Sequence, residues 1–213
     1  MSTAKDRNIT WHPSNISTKD RERLHGHRGI TLWFTGLSAS GKSTVAREVE
    51  DQLYNRGLFA YVLDGDNIRH RLNSDLGFSP EDRVENIRRI GEVAHLINQV
   101  GMIVMCAFIS PYREDREKAR GMEEEGRFAE VYCKCSIEEC ERRDPKGLYV
   151  KARAGEIPDF TGISAPYEEP EDPELVVETD QLTIKECAAK VLEFLEERRV
   201  IVKPVVGRPR VIE

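Results

Sequence analysis

The fold is decided by the stretch ITLWFTGLSASGKST, which spans residues 30–44. Its first half, residues 30–36, is a compact apolar run that ends in glycine, a pattern typical of a buried strand. Its second half, residues 36–43, fits the spacing G-x-x-x-x-G-K-[ST], in which two glycines permit a tight turn before a helix. The stretch therefore predicts a phosphate-binding loop at the carboxyl end of a buried strand.

The residues of this loop have distinct expected tasks. Backbone N–H groups of the loop and the N-terminus of the next helix would face bound phosphates. Lys42 would reach the β- and γ-phosphates, and the Ser43 hydroxyl would coordinate Mg²⁺. The residues expected to bind ATP are Gly36, Leu37, Ser38, Ala39, Ser40, Gly41, Lys42, Ser43 and Thr44. The loop alone does not distinguish a kinase from a GTPase or an ATPase motor.

Strand and helix patterns alternate along the rest of the chain. Apolar residues at helical spacing run from Lys42 to Asn55, and Ser79-Pro80 begins a helix that extends to about Val100. Its predicted buried face comprises Val84, Ile87, Ile90, Ala94 and Ile97. Buried strands are predicted at residues 30–36, 58–66, 101–110, 128–135 and 174–179, and further helices at 113–125, from 136 and at 182–199. This alternation predicts a three-layer α/β/α P-loop NTPase fold with a mainly parallel five-stranded sheet.

One domain is expected over residues 29–202, because 213 residues suit a single hydrophobic core. Residues 1–28 are polar and predict an N-terminal arm or a short helix, and residues 203–213 predict a C-terminal tail. Residues 144–173 are rich in proline, glycine and charge, with little periodicity. A long irregular loop of this kind is typically functional, and here we expect a mobile lid.

Composition excludes several classes of protein. The formal net charge of -6 argues against nucleic acid as a partner, although a local basic pocket remains compatible with it. The N-terminus lacks an apolar signal-peptide core and no run approaches the ~20 apolar residues of a membrane span, so we expect no membrane partner and a cytoplasmic location. The five cysteines include no C-x-x-C pair and are interpreted as reduced, buried thiols. His25 and His27, in a polar segment, are expected at the surface.

Two aspartates follow the second predicted strand. In an open parallel sheet, ligands bind beyond the carboxyl ends of the strands, and the run LFAYVLDGD delivers Asp64 and Asp66 to that edge beside the phosphate loop. A carboxylate there can orient Mg²⁺ through water or accept a hydroxyl proton. The alternative is that one of the two caps the helix that begins near Asn67.

Cations cluster after these acids. Arg69 lies one helical turn beyond Asp66, and Arg83 and Asn86 are three residues apart on another helix, followed by Arg88 and Arg89. A surface ion pair is the alternative for Arg69, and at least one of Arg88 and Arg89 is expected to face solvent. The cluster predicts an acceptor substrate that is itself anionic.

Six segments of the chain resemble those of a known family. The segments GLSASGKST, DGDNIR, LGFS-x-x-DR-x-ENIRRI, FISPYR, RDPKGLY and FTGISAPYE-x-P occur in this order. Together they resemble the adenylylsulfate (APS) kinases, and the resemblance extends from about Ile30 to Leu195. It implies transfer of a phosphoryl group from ATP to the ribose 3′-hydroxyl of adenosine 5′-phosphosulfate, which gives ADP and PAPS, in a homodimeric enzyme of sulfate assimilation.

The resemblance also implies roles for individual residues. Asp66 would be the base or the residue that orients the 3′-hydroxyl, with Asp64 supporting the metal shell. Lys146 would come from the lid to the phosphates. Residues implied to bind APS are Arg69, Arg83 and Asn86 at the phosphosulfate, Phe78 and Phe160 on the two faces of the adenine, and Ile109 and Ser110. For Ser110, substrate contact is favoured over a phosphoserine intermediate, because phosphoryl transfer requires no covalent step.

Three alternative functions account less well for the sequence. A different small P-loop kinase, acting on a sugar or nucleoside, leaves the LGFS and FTGISAPYE segments unexplained. A regulatory PAPS-sensing module of the same family would have a degenerate phosphate loop, whereas GLSASGKS is intact here. A regulatory GTPase would carry an N-K-x-D motif for the base, which this sequence lacks.

Overall fold

The computed structural model describes Thr10 and residues 12–202. Within this part of the chain a five-stranded sheet has the order β2-β3-β1-β4-β5, and all of its pairings are parallel. The strands are β1 (Ile30–Thr35), β2 (Ala60–Asp64), β3 (Ile103–Ala107), β4 (Phe128–Lys134) and β5 (Leu175–Glu178). Because the strands are parallel, their carboxyl ends meet at one edge, as the sequence predicted.

Helices cover both faces of this sheet. They are α1 (Thr18–His25), α2 (Lys42–Asn55), α3 (Gly65–Arg69), α4 (Pro80–Gln99), α5 (Arg113–Arg120), α6 (Ile137–Arg143), α7 (Leu148–Arg153) and α8 (Ile184–Glu197). The sheet with helices on both sides confirms the predicted three-layer fold. No helix in the described residues is long and apolar enough to cross a membrane.

Alternation along β1 divides the core into two layers. Leu32 and Phe34 pack with α2 and α8 on one face, whereas Trp33 packs with α4 and α5 on the other. All three side chains are fully buried. A strand that is apolar on both faces is stable only between two helical layers, which explains why β1 lies at the centre of the sheet.

Residues 144–173 contain more regular structure than the sequence indicated. They contain α7, whose first turn is capped by the Asp144 carboxylate through the N–H groups of Leu148, Tyr149 and Val150. Tyr149 and Phe160 belong to a third small hydrophobic cluster. A helix of six residues is too short to give a periodic signal, so the sequence pattern missed it.

Two predictions about side-chain burial were wrong: His27 was expected at the surface, and Val84 was expected on a buried helix face. His27 is buried, and its Nε2 accepts the N–H of Phe59 at 3.1 Å, because the chain after α1 packs against the start of β2. Val84 is 39% exposed, since the buried face of α4 begins one turn later at Ile87. The arm contains α1, while residues 1–9, Trp11 and the predicted tail at 203–213 lie outside the described residues.

Candidate active site

The phosphate loop joins β1 to α2 in a conformation that needs its glycines. Gly41 has a φ of 90° and precedes the first residue of α2. Gly36 has a φ of 148°, and a Cβ there would lie 2.6 Å from Ser40 Oγ and 2.7 Å from the Cys133 carbonyl oxygen. A side chain at position 36 would therefore be strained and would collide with the neighbouring strand.

Lys42 lies buried over this loop. Its Nζ donates to the carbonyl oxygens of Gly36 at 3.0 Å and Leu37 at 2.5 Å, and to Ser40 Oγ at 3.4 Å. Burial lowers the pKa of the ammonium to about 8, although the nearby Asp64 carboxylate opposes the shift. The Lys42 ammonium is thus held close to the backbone of the loop and is only partly solvated.

Other elements hold the loop carbonyls. The Tyr149 hydroxyl donates to the Ser38 carbonyl at 3.0 Å, and the Thr179 hydroxyl donates to the Ser40 carbonyl at 2.7 Å. The first contact comes from α7 and the second from the end of β5. Two carbonyls of the loop are thus held by other elements, which fixes the loop backbone beside α2.

The two aspartates have different surroundings. Asp64, at the end of β2, is buried, and its Oδ1 accepts the N–H groups of Asp66 at 3.1 Å and Asn67 at 3.4 Å. It is the N-cap of α3, which begins at Gly65 rather than near Asn67. Asp66 is exposed and forms an ion pair with Lys146. The N-cap alternative therefore holds for Asp64, whereas the exposed Asp66 carboxylate is paired with Lys146.

One cavity of about 840 Å³ brings the phosphate loop and these acids together. Predicted residues on its wall are Ser38, Ala39, Gly41, Lys42, Ser43, Thr44, Asp64, Asp66 and Lys146. Its remaining wall, which sequence reasoning missed, includes Arg143, Asp144, Thr179, Leu182, Thr183, Ile184 and Cys187. These residues follow β4 and β5. Ligands bind beyond the carboxyl ends of parallel strands, and the same reasoning that selected Asp64 could therefore have predicted the wall residues that follow β5.

The donor set in this cavity suits Mg²⁺. The Ser43 hydroxyl and the carboxylates of Asp64 and Asp66 offer hard oxygen donors on a common wall. Within the described residues no group of three or more His, Cys, Asp or Glu side chains is arranged to hold a metal ion. This combination matches magnesium sites that rely on one or two carboxylates together with substrate phosphates.

A second cluster lies outside this cavity and is built around Arg83. The Arg83 guanidinium donates to the Phe78 carbonyl at 2.9 Å, to Thr161 Oγ1 at 2.8 Å and to the Asp159 carbonyl at 2.5 Å. Arg69 lies over the Phe78 ring, 4.4 Å from its centroid. The structure thus brings two predicted arginines together with Phe78, which is 67% exposed.

The other predicted acceptor residues are more enclosed. Asn86 is buried, and its Oδ1 accepts from Asn73 Nδ2 at 2.9 Å. Phe160 is also buried and meets Tyr149 edge-on, with ring centroids 5.0 Å apart. The Ile109 carbonyl accepts the Thr35 hydroxyl at 2.8 Å.

Ser110 lies away from the cavity wall. Its side chain is buried, and its Oγ accepts the indole N–H of Trp33 at 3.0 Å. The residue has a φ of 42°, in the left-handed region that non-glycine residues rarely adopt. Strained backbone of this kind is often found at functional sites, whereas the buried hydroxyl is poorly placed to attack a phosphate.

Comparisons with known proteins point to one enzyme family. A family model described as "Adenylylsulphate kinase" matches residues 28–178. The adenylyl-sulfate kinase of Staphylococcus carnosus is 56% identical over 197 residues, which cover 92% of this chain and 99% of that protein. The adenylyl-sulfate kinase of Acaryochloris marina is also 56% identical over 197 residues, covering 92% of this chain and 96% of the relative.

A solved structure gives the same result. The APS kinase CysC of Mycobacterium tuberculosis, in complex with AMPPNP and APS, is 53% identical and superposes with a TM-score of 0.77. The match covers 80% of this chain and 99% of that one. With a family match over more than half of its length and relatives above half identity, the chain belongs to the adenylyl-sulfate kinase family.

Proposed function

We propose that this protein transfers the γ-phosphoryl group of ATP to the ribose 3′-hydroxyl of adenosine 5′-phosphosulfate, giving ADP and PAPS. The observation that carries the proposal is membership of the adenylyl-sulfate kinase family with an intact phosphate loop. Lys42, Ser43 and Asp66 line one cavity, as a phosphoryl transferase requires. The related Mycobacterium tuberculosis enzyme was solved with AMPPNP and APS.

In this proposal the donor phosphates occupy the cavity over the phosphate loop. The loop N–H groups and the Lys42 ammonium bind the β- and γ-phosphate oxygens. Ser43, and Asp64 through water, would hold Mg²⁺, which neutralises the charge that develops on the phosphate oxygens. Asp66 orients the attacking 3′-hydroxyl and accepts its proton, and Lys146 contributes a second cation from the 144–173 segment.

The acceptor is proposed to lie against the Arg83 cluster. Arg69, Arg83 and Asn86 bind the phosphosulfate, because guanidinium forks match tetrahedral oxyanions. Phe78 and Phe160 contact the two faces of the adenine, since aromatic rings stack on bases. Ile109 and Ser110 contact the substrate from the loop after β3, and Ser110 binds rather than reacts.

The proposal also covers the domain organisation, the oligomeric state and the location of the protein. Residues 29–202 form the kinase domain, residues 1–28 an arm, and residues 144–173 a lid that closes over the substrates and excludes water. The protein acts as a homodimer in the cytoplasm, with no nucleic acid or membrane partner. Five cysteines that are buried and free of disulfides support a reducing compartment.

The test is a coupled assay of ADP release by purified protein with ATP, Mg²⁺ and APS. We expect turnover that depends on APS, and PAPS as the second product by chromatography. Adenosine 5′-monophosphate, which lacks the sulfate, and a simple sugar serve as control acceptors and should give little ADP. Folded protein that shows no APS-dependent turnover would overturn the proposal, and faster turnover with the sugar would favour a sugar kinase.

A further inference from the structure

A buried arginine lies behind the substrate sites and has no role in the chemistry proposed above. Arg116, on α5, is 2% exposed, and its guanidinium has three separate acceptors. It donates to Glu130 Oε1 at 2.5 Å, to the Ser110 carbonyl at 2.8 Å and to the Glu168 carbonyl at 2.8 Å. These acceptors belong to β4, to the loop after β3 and to the distal end of the 144–173 segment.

The positive charge of Arg116 is balanced by the Glu130 carboxylate, and further ion pairs and hydrogen bonds hold this pair in place. Glu130 is buried on β4, and its N–H donates to Glu174 Oε2 at 2.7 Å. Arg120 in turn forms a fork with Glu174, at 2.5 and 3.0 Å. Two cations and two anions therefore form one network, so the Arg116 fork is held in a single orientation toward the two carbonyls.

Neighbouring contacts tie the same two segments together. The Glu168 N–H donates to the Pro111 carbonyl at 2.9 Å, and the Arg113 N–H donates to Glu168 Oε2 at 2.7 Å. The Arg113 side chain donates from Nε to the Glu169 carbonyl at 2.7 Å. The distal end of the segment is thus docked on the loop between β3 and α5 through both backbone and side chains.

Tyr167 extends this docking to β1. Its ring lies 5.9 Å from the Arg116 guanidinium carbon, and its hydroxyl is 2.9 Å from Thr35 Oγ1. Thr35 donates to the Ile109 carbonyl, so the Tyr167 hydroxyl is the donor in its own contact with Thr35. Thr35 directly precedes the phosphate loop, which places the docking point between the ends of β1 and β3.

We propose that Arg116 is a positioning residue for the acceptor substrate. By holding the carbonyls of Ser110 and Glu168, it sets the distance between the loop after β3 and the distal end of the 144–173 segment. The segment carries Thr161, the partner of Arg83, and Phe160 shortly before this docking point. The inference rests on the proposed function, because it assigns the acceptor side of the same reaction.

The cavity that is proposed to bind ATP does not include the residues of this docking point. The cavity wall over the phosphate loop is formed by stretches at 38–47, 143–148 and 179–187 together with the two aspartates. Arg116, Glu130, Tyr167 and Glu168 are not part of that wall. A change at Arg116 should therefore affect the KM for APS and leave the KM for ATP nearly unchanged, a split that general loss of structure would not produce.

The test compares Arg116→Lys, Arg113→Ala and Lys118→Ala in steady-state assays with each substrate varied in turn. Lysine keeps the charge but lacks the planar guanidinium that donates to three acceptors in fixed directions. We therefore expect the KM for APS to rise about 10- to 100-fold in Arg116→Lys. Arg113 is 46% exposed, and its loss should give a smaller rise without endangering the fold. Lys118 is the control, because its ion pairs are to Glu114 and Asp115 within α5.

The outcomes separate this inference from the proposed function. If the unchanged protein has no APS-dependent turnover, the proposed function fails. If it turns over APS, and the folded variants keep the KM for APS within twofold or raise both KM values equally, the positioning role is wrong. If Arg116→Lys fails to fold, the KM values of Arg113→Ala are compared with those of Lys118→Ala. A KM for APS that is no higher in Arg113→Ala than in Lys118→Ala would then contradict the positioning role.

Discussion

Lys146 and Asp66 form an ion pair across the cavity, although they lie 80 residues apart in the chain. Both side chains are well exposed, at 55% and 65%, and exposed ion pairs contribute at most about 1 kcal/mol to folding. The pair is therefore better explained by function than by stability. It links the start of the 144–173 segment to the carboxylate that is proposed to face the acceptor hydroxyl.

Replacing Lys146 with alanine should lower kcat by about 10²- to 10³-fold, because a cation that is proposed to stabilise the developing phosphate charge is lost. The Tm should change little, since the pair is exposed. Steady-state kinetics and thermal unfolding measure the two effects. Lys190→Ala, at an exposed position on α8, is the control, and a kcat for Lys146→Ala equal to that of this control would contradict the prediction.

Nucleotide binding should depend on pH through Lys42. Burial lowers the pKa of this ammonium from 10.5 to about 8, and bound phosphates would raise it again. ATP binding near pH 8.5 should therefore take up protons, and affinity should fall as the pH rises above about 8. Well below pH 8, Lys42 is charged with or without nucleotide and contributes no dependence.

Calorimetry in two buffers with different ionisation enthalpies measures this proton uptake directly. Lys42→Arg is the matched control, because a guanidinium stays charged throughout this range and should show no uptake from position 42. Equal uptake in both proteins would mean that another group is responsible.

The two aspartates should separate turnover from stability. Asp66→Asn should reduce kcat by about 10²- to 10⁴-fold with an unchanged Tm, because Asp66 is exposed and is proposed to act on the hydroxyl. Asp64→Ala should lose about 1 kcal/mol of stability, since the N-cap of α3 is removed. Asp64→Asn should keep the cap and lose only the charge. Identical Tm values for Asp64→Ala and Asp64→Asn would argue against the capping role.

Ser110→Ala tests whether the serine reacts. We expect kcat to remain within about tenfold of the unchanged protein, because transfer between bound substrates needs no covalent step. Stability should fall by about 1–3 kcal/mol, since the buried Trp33 N–H loses its acceptor. Kinetics and chemical denaturation measure both. Complete loss of turnover in a folded protein would instead support a phosphoserine intermediate.

Phe78 and Phe160 should behave differently despite their matching proposed roles. Phe78→Ala should raise the KM for APS without lowering the Tm, because the ring is 67% exposed. Phe160→Ala should also destabilise the fold by about 3–5 kcal/mol, since its ring is buried against Tyr149. Phe160→Leu is a milder companion variant. An unchanged KM for APS in Phe78→Ala would remove that ring from the substrate site.

The parts of this molecule that the sequence predicts are those set by local pattern. The central strand could be recognised because Leu32, Trp33 and Phe34 are all apolar, and the loop because its glycines and Lys42 have a fixed spacing. The buried pair of Arg116 and Glu130 could not, since nothing in either residue's local sequence indicates that they meet. The direction of the Ser110 hydroxyl likewise depends on the packing of Trp33, which is a tertiary property.

The order of the sheet has a consequence for how such enzymes diversify. With β1 at its centre, the segments after β4 and β5, on one side, supply much of the wall of the cavity over the phosphate loop, and the end of β2 adds Asp64 and Asp66. The strands on the other side, β2 and β3, lead into Arg69, Phe78, Arg83 and Ser110. Insertions or replacements beyond Asp66 in the segment after β2, and in the segment after β3, could therefore alter the proposed acceptor side while the phosphate loop is kept intact.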